Sequence, residues 1–533
     1  MLRSSMYVAL CTAVLSFSGC KDDPSSPQYW AKAIDSAKRT KDRVRVVNEL
    51  RESPHKGPPM LPVIHERLAT EKNAEVKAAM ARVLAEVKDP SSIKPLSEAI
   101  DYGGSDNATN TMNKEIAHAL GAIGDPSAIP ELIKLLKARD NYVKIEAITA
   151  LGTLKAKDAV DPLIELATTE TGEPFISKKA IQALGNIGDP KAVPALVKMM
   201  FKERRGVSFY VESSFALYQI GPASVAALIP VVSGEDKEFM KWTKENGVIE
   251  PAVFAKAAQV LSDLHAHAQP AEAALIKQLS YDIGYQEELL VRMKAADALG
   301  RMRSKAAVPV LSKMLDEKEA TVRAEYIRAL VRIGDAAAIP ALVKAAQKDS
   351  WDAREPAIIG IAMLGGEKEL PILEKLASSE AATHAAYCKT DTESERCKDV
   401  AGSAKKQADA IQGFALRAKA AVECKSEHAC WSKKLDDPDP GVRERAAFEL
   451  GRSGDAQFTA LLVKRLADQN LDARYAAITA ADWLTDNADA FKTAKSALAQ
   501  IEKQLEEEKG KTQFVRVNED LRRLAVKLNR PTL

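Results

Sequence analysis

IAHALGAI at 116–123 runs into GDPSAIPELIKLL at 124–136; AITALGTL at 147–154 is followed by AVDPLIELA at 159–167; AIQALGNI at 180–187 runs into GDPKAVPALVKMM at 188–200. One phrase is written three times, with Leu120, Leu151 and Leu184 at the same place in each copy. Ile116, Ala119, Leu120 and Ile123 follow i, i+3, i+4, i+7, and so do Ile129, Leu132, Ile133 and Leu136. Each set lines one stripe of a helix. Gly124-Asp125 and Gly188-Asp189, each followed by Pro, end one helix and start the next: Gly takes the left-handed cap, Asp caps the following N-terminus, and Pro suits its first turn. Helices of about ten residues cannot bury such a stripe alone. Neighbouring copies must therefore stack, which predicts an all-α solenoid of helical hairpins with no sheet.

At these residues the chain resembles HEAT repeats in their short form, the PBS-lyase HEAT-like repeat. Val322-Arg323, Leu299-Gly300 and Gly334-Asp335 stand where that family has its Val-Arg start, Ala-Leu-Gly centre and Gly-Asp turn. The resemblance runs from about 74 to 484 and implies an elongated α-solenoid whose second helices line a concave face. It also implies that Arg292, Arg323 and Arg443 join neighbouring repeats to acidic loop residues. On function it is nearly silent, because one fold hosts many functions.

The N-terminus reads as a targeting segment. Arg3 precedes an apolar run at 7–17, too short to span a membrane as a mature helix. Ser18-Gly19-Cys20 after that run resembles a bacterial lipobox, the alternative being an ordinary signal peptide with a chance cysteine. The resemblance implies removal of 1–19 as a lipoprotein signal peptide, acylation of Cys20, and a polar tether over 20–28. The expected location is the bacterial cell envelope, with the membrane held through the lipid on Cys20.

Beyond the tether, 29–73 reads as N-terminal capping helices, 74–377 as repeats, 378–435 as a Cys-containing helical hairpin, 436–486 as further repeats, and 487–533 as C-terminal capping helices. An insertion at 233–251 carries Trp242, either a partner-binding anchor or a ring packed on the adjacent helix. Lys and Arg number 76 against 74 Asp and Glu, so no global field attracts nucleic acid.

No Walker loop, GxSxG, HExxH or Gly-rich dinucleotide loop is present, and no catalytic residue, metal ligand set or cofactor site can be assembled. His265 and His267, two apart, point away from each other on a helix and read as surface polar residues at a helix end. Five residues before each marker leucine stand Glu115, Glu146, Lys179, Glu212, Lys294, Glu325 and Arg445, whose mixed signs form no basic stripe. Two residues before it stand His118, Thr149, Gln182, Phe215, Asp297, Arg328 and Phe448, varied as a protein-recognition surface would be, or as unselected surface would be.

Four cysteines remain in the exported chain. They lack the tight CxxC spacing of zinc sites, and disulfides are the reading for an exported protein. A continuous helix over 399–422 would hold Cys397 and Cys424 roughly 35–40 Å apart, too far to bond. Antiparallel hairpin packing then favours the local pairs Cys388 with Cys397 and Cys424 with Cys430.

Two functions of different class follow as expectations. The first is a non-enzymatic, monomeric, lipid-anchored scaffold that holds another envelope protein. The second is an enzyme of the lyase type, by analogy with the resembled family. A purely structural envelope role is a third.

Overall fold

The computed structural model describes residues 23–169, 172–284, 286–347, 351–387 and 395–529. The lipobox-like Cys20 and the signal segment lie outside the described residues, as does Cys388. Thirty α-helices fill the described residues, and the strands among them are two dipeptides, Glu203–Arg204 and Val207–Ser208, paired as a hairpin in the lengthened turn at 201–209. The fold is all-α, built of stacked helical hairpins.

Two compact units divide the chain, the first ending at Ile187 and the second running from Gly188 to Leu533. In unit 1 the second helices of successive hairpins, Ala74–Val87, Asn107–Ile123, Asn141–Thr153 and Pro174–Ile187, pack one on the next. In unit 2 the same ladder runs through Glu250–Asp263, Glu287–Arg301, Ala320–Ile333, Trp351–Leu364, Glu395–Cys424, Pro440–Arg452 and Leu471–Leu484, and then onto Val515–Leu528.

The turn chemistry explains the hairpins. Gly124 and Gly334 close their helices at φ of 82° and 78°, a region closed to most side chains. Asp125, Asp189, Asp335 and Asp455 then accept the backbone N–H two residues on and start a short 3-10 turn that leads into the next helix. The marker leucines Leu120, Leu151, Leu184, Leu217, Leu299, Leu330 and Leu450 are all fully buried.

The glycine after the marker lets neighbouring ladder helices touch. A Cβ on Gly300 would sit 2.8 Å from the Ala329 Cα of the next repeat, and one on Gly121 would sit 2.7 Å from the Ala150 Cβ. The Ala before one marker leucine therefore meets the Gly after the preceding one. Gly413, inside Glu395–Cys424, has open space where its Cβ would be. The two sites give opposite expectations for one change. Gly413→Ala should stabilise by about 1 kcal/mol through helix propensity, whereas Gly300→Ala should destabilise by about 1–3 kcal/mol through overpacking. Denaturant midpoints of the two variants decide it; equal signs would refute the close-approach account.

Glu395–Cys424 is one continuous helix of 30 residues. Cys424 at its end is disulfide-bonded to Cys430 in the first turn of His428–Lys434, with α-carbons 5.2 Å apart. The other expected pair, Cys388 with Cys397, is not described, because Cys388 lies outside the described residues.

The C-terminal segment departs from a simple cap. It forms Ala488–Lys495, Leu498–Glu507 and Val515–Leu528. The last of these buries Val517, Leu521, Leu524 and Leu528, and with them the polar Asn518, Asp520 and Lys527. The Tyr218 hydroxyl donates to the Arg523 carbonyl at 2.7 Å, 305 residues away in sequence. This helix thus packs against early repeats of unit 2 as well as against the last one.

Candidate functional site

In unit 1, His118, Thr149 and Gln182 stand exposed on three successive ladder helices. His118 Nδ1 lies 2.8 Å from Glu146 of the next helix, and the Thr149 hydroxyl donates to the Ile145 carbonyl at 2.8 Å. The face between them is open and chemically varied.

In unit 2 the same column is largely occupied by the chain itself. Asp297 accepts from Arg332 at 2.5 Å and from the Ser262 hydroxyl at 2.6 Å, and lies 3.3 Å from Arg301. It is a structural anion, which corrects its reading as a partner-binding residue. Phe215 is half-buried with its ring 6.2 Å from Tyr218. Phe448 is buried between the Trp483 ring at 5.7 Å and the Arg452 guanidinium at 5.5 Å. Arg328 remains exposed and pairs with Glu325 on its own helix. Trp242 is half-buried, tilted on Phe239 at 5.5 Å with the Lys202 ammonium 4.9 Å over its ring. It packs down within the insertion rather than standing free as an anchor.

The histidine reading also needs correction. His265 is not a surface residue: its side chain is 14% exposed and its Nδ1 contacts Asp482, 217 residues on. The Arg301 guanidinium faces its Nε2 at 3.2 Å and donates to Asp520 of the last helix at 3.0 Å. Arg523 pairs with Asp263 at 3.2 Å, and Lys527 reaches Asp486 at 2.7 Å and the Asp482 carbonyl at 3.0 Å. Charges from three ladder helices, Glu250–Asp263, Glu287–Arg301 and Leu471–Leu484, are thereby tied to Val515–Leu528. Sequence reading missed this network because every partner is far away in the chain. The available signal was Asp and Arg on the inner positions of several helices, Asp297 with Arg301 and Asp520 with Arg523 among them.

The arginines after valine hold loops. Arg292 donates to the Tyr281 carbonyl at 2.7 Å, Arg323 to the Glu317 carbonyl, and Arg443 to the Asp437 carbonyl at 3.0 Å. Arg443 also makes a two-pronged pair with Asp468 of the next turn, both bonds at 2.8 Å, the planar geometry that suits a guanidinium.

Beside the last helix a cleft of about 520 Å³ opens between Tyr210–Ile220, Glu250–Asp263 and Glu287–Arg301. Lys256 stands in it with its ammonium 4.9 Å from the Tyr210 ring and 5.4 Å from the Phe201 ring, donating to the Met200 carbonyl at 3.4 Å. Burial pushes this ammonium below its ordinary value, more than the charge of Glu203 holds it up. Burial likewise raises the Tyr210 hydroxyl. Lys294 faces the same cleft and donates to the Gln259 side-chain oxygen at 2.6 Å. Among the described residues no group of three His, Cys, Asp or Glu is placed to hold a metal ion, and no helix is long and apolar enough to cross a membrane.

Comparison with known proteins agrees with the repeat geometry. The HEAT-repeat family model matches residues 61–141, 129–207, 315–386 and 431–506, and the PBS lyase HEAT-like repeat model matches 291–317. Phycocyanobilin lyase subunit alpha of Nostoc sp. is 31% identical over 137 residues, covering 24% of this chain and 49% of that protein. The chain thus matches about half the length of this curated relative. Among solved structures, yeast importin-beta (Kap95p) aligns at 11% identity over 90% of this chain and 69% of its own, with a TM-score of 0.40. Human deoxyhypusine hydroxylase in complex with glycerol aligns at 20% identity over 51% of this chain and 95% of its own, with a TM-score of 0.22. With HEAT repeats matched over more than half of its length, and with each Ala-Leu-Gly and Gly-Asp of the repeat doing a definable job in the hairpins, the chain belongs to the HEAT-repeat family.

Proposed function

We propose that this protein is a non-enzymatic scaffold, tethered in a bacterial cell envelope by lipid on Cys20, that holds another envelope protein on the ladder face of unit 1. One observation carries the reading: His118, Thr149 and Gln182 present three different chemistries, exposed, on three stacked helices whose cores are fully packed. A rigid, varied face of this kind suits recognition of a folded partner. Asp297 and Phe448 of the same column serve the interior of unit 2, so the proposed surface is confined to unit 1.

A photocrosslinker placed in turn at 118, 149 and 182 should trap one envelope protein, whereas the same group at exposed Glu165, on a first helix, should not. Cys20→Ser should abolish both membrane fractionation and the crosslink. Equal yields from 165 and the three ladder positions would refute the binding face. A mature, cleaved Cys20→Ser protein still found with membranes would refute the anchor. The alignment with phycocyanobilin lyase subunit alpha favours a second reading, an enzyme of the lyase type. A partner recovered at one-to-one stoichiometry supports the scaffold over that reading, because an enzyme releases what it acts on.

A further inference from the structure

A charged groove of about 730 Å³ lies open at the start of unit 1. Arg51 and Lys56, at the end of Thr40–Glu52 and just beyond it, face Arg82 and Lys88 at the end of Ala74–Val87. Against these four cations stand two carboxylates, Glu86 and Glu115, and each is shared. Glu86 pairs with both Arg51 and Lys56, and Glu115 pairs with Arg82 at 3.5 Å and with Lys114 at 3.4 Å. Lys88 is exposed and makes no ion pair among the described residues. His118, at the edge of the groove, already has Glu146 as its partner. A surplus of positive charge therefore remains, and pairs this open to solvent hold their partners weakly.

The chain enters the fold beside this groove. The Trp30 indole N–H donates to the Pro24 carbonyl at 2.8 Å and its ring is buried, which pins the start of the chain to Pro27–Ser36. The Asp23 carboxyl is held below its ordinary value by its bonds to Ser25 and, to a smaller extent, by the charge of His55, so Asp23 and His55 lie near each other. Lys56 follows His55 directly. Cys20 precedes Asp23 by three residues, a reach of at most about 11 Å. A bilayer holding lipid on Cys20 would therefore lie close to this end of unit 1. The apolar lining of the groove is Ala85 and Ala122, too small to seat a peptide side chain, whereas a layer of phosphates needs no such seat.

We infer that this groove docks on the anionic headgroups of the membrane that carries the Cys20 lipid, with Arg51, Lys56, Arg82 and Lys88 meeting lipid phosphates. The inference rests on the lipid anchor of the scaffold reading and says how the anchored protein is turned. The start of unit 1 faces the bilayer, and the helices of the partner face, from His118 to Gln182, stack away from it. The lipid supplies the strength of attachment and the groove its orientation, because attraction between exposed charges and a surface fades within a Debye length.

The test is co-sedimentation of the mature chain carrying Cys20→Ser, and so without acyl groups, with vesicles of phosphatidylglycerol and phosphatidylcholine at low salt. Binding is expected to these vesicles and not to phosphatidylcholine alone, and should weaken with added salt. Lys56→Gln combined with Lys88→Gln should weaken it roughly fivefold or more. Lys137→Gln with Lys157→Gln, exposed and outside the groove, should leave it unchanged. Unchanged thermal melts would show that both pairs of variants fold. Equal losses from the two pairs, or equal binding to both kinds of vesicle, would overturn the assignment. Full displacement by inorganic phosphate at the concentration of the lipid phosphate would give the groove to a free phosphate instead, and tighter binding of polyglutamate than of the vesicles would give it to an acidic protein. Because this chain lacks the lipid, its failure on vesicles would sink the groove and leave the Cys20 fractionation result standing. Vesicle binding alongside a Cys20→Ser protein that stays with salt-washed membranes would refute the anchor and leave the affinity of the groove for headgroups.

Discussion

Arg301→Met is expected to cost unit 2 about 3–5 kcal/mol, among the largest effects of any single change outside the apolar core. Arg301 is 9% exposed and lies between Asp297, Asp520 and the His265 ring. Its removal leaves Asp520 with Arg523, and Asp297 with Arg332 and the Ser262 hydroxyl, each carboxylate still sheltered from water. The cost is that of stranding anions rather than of losing attraction, so a second change should recover much of it. Arg301→Met combined with Asp520→Leu is expected to be more stable than Arg301→Met by itself, and a double-mutant cycle reads the coupling directly. A cost below about 1 kcal/mol would mean that the network contributes nothing to docking the last helix.

The same network makes unit 2 acid-sensitive. Burial pushes the Asp482 carboxyl up, but Lys527 and His265 outweigh it and hold the group well below its ordinary 3.8. Asp297 is held below 3.8 in the same way, by Arg301, Arg332 and the Ser262 hydroxyl against burial. Folded values below the unfolded one mean that the stability is fully present above about pH 4 and is lost as pH falls from there. Asp263 runs the other way: burial raises it despite Arg523 and Arg301, so its protonation relieves part of the cost above about pH 4, before that loss sets in. The melting midpoint of unit 2 should therefore fall as pH drops below about 4, and Arg301→Met should flatten that dependence.

The hairpins were legible because their determinants are local. An apolar stripe of period 3.6, a Gly-Asp turn and a buried leucine can all be read within about thirty residues, and Leu120 to Leu450 sit where that reading puts them. The Ala-Leu-Gly triplet was recognisable as a pattern, but its cause, Gly300 against Ala329 in the next repeat, is a contact between helices. The site was legible only in part, for the same reason. His118, Thr149 and Gln182 could be placed on one face from the repeat register alone. That Asp297 and Phe448 in the same register are tied down depends on partners in other repeats, Ser262 and Arg332 for the first and Trp483 for the second. The returning helix Val515–Leu528 shows in the sequence only as an amphipathic helix with Asp520, Arg523 and Lys527 beside its apolar stripe. His265 was misread because its partners, Asp482 and Arg301, belong to other repeats.

Leu151→Asp is expected to be the more damaging change, at about 4 kcal/mol or more. Leu151 is fully buried in Asn141–Thr153, between the ladder helices Asn107–Ile123 and Pro174–Ile187. Truncating such a leucine alone costs about 2–5 kcal/mol, and an aspartate adds a charge at a fully buried position. Contacts in a stacked array reach only the neighbouring repeats, so the damage should be bounded. Hydrogen exchange should show lost protection in Asn107–Ile123, Asn141–Thr153 and Pro174–Ile187, with protection kept from Glu287–Arg301 through Leu471–Leu484. Loss of protection throughout the chain in one step would show a cooperative unit larger than unit 1. Undiminished protection in Asn141–Thr153 would show that Leu151 does not hold the repeats together. In the expected case the variant also loses the crosslinks from 118, 149 and 182.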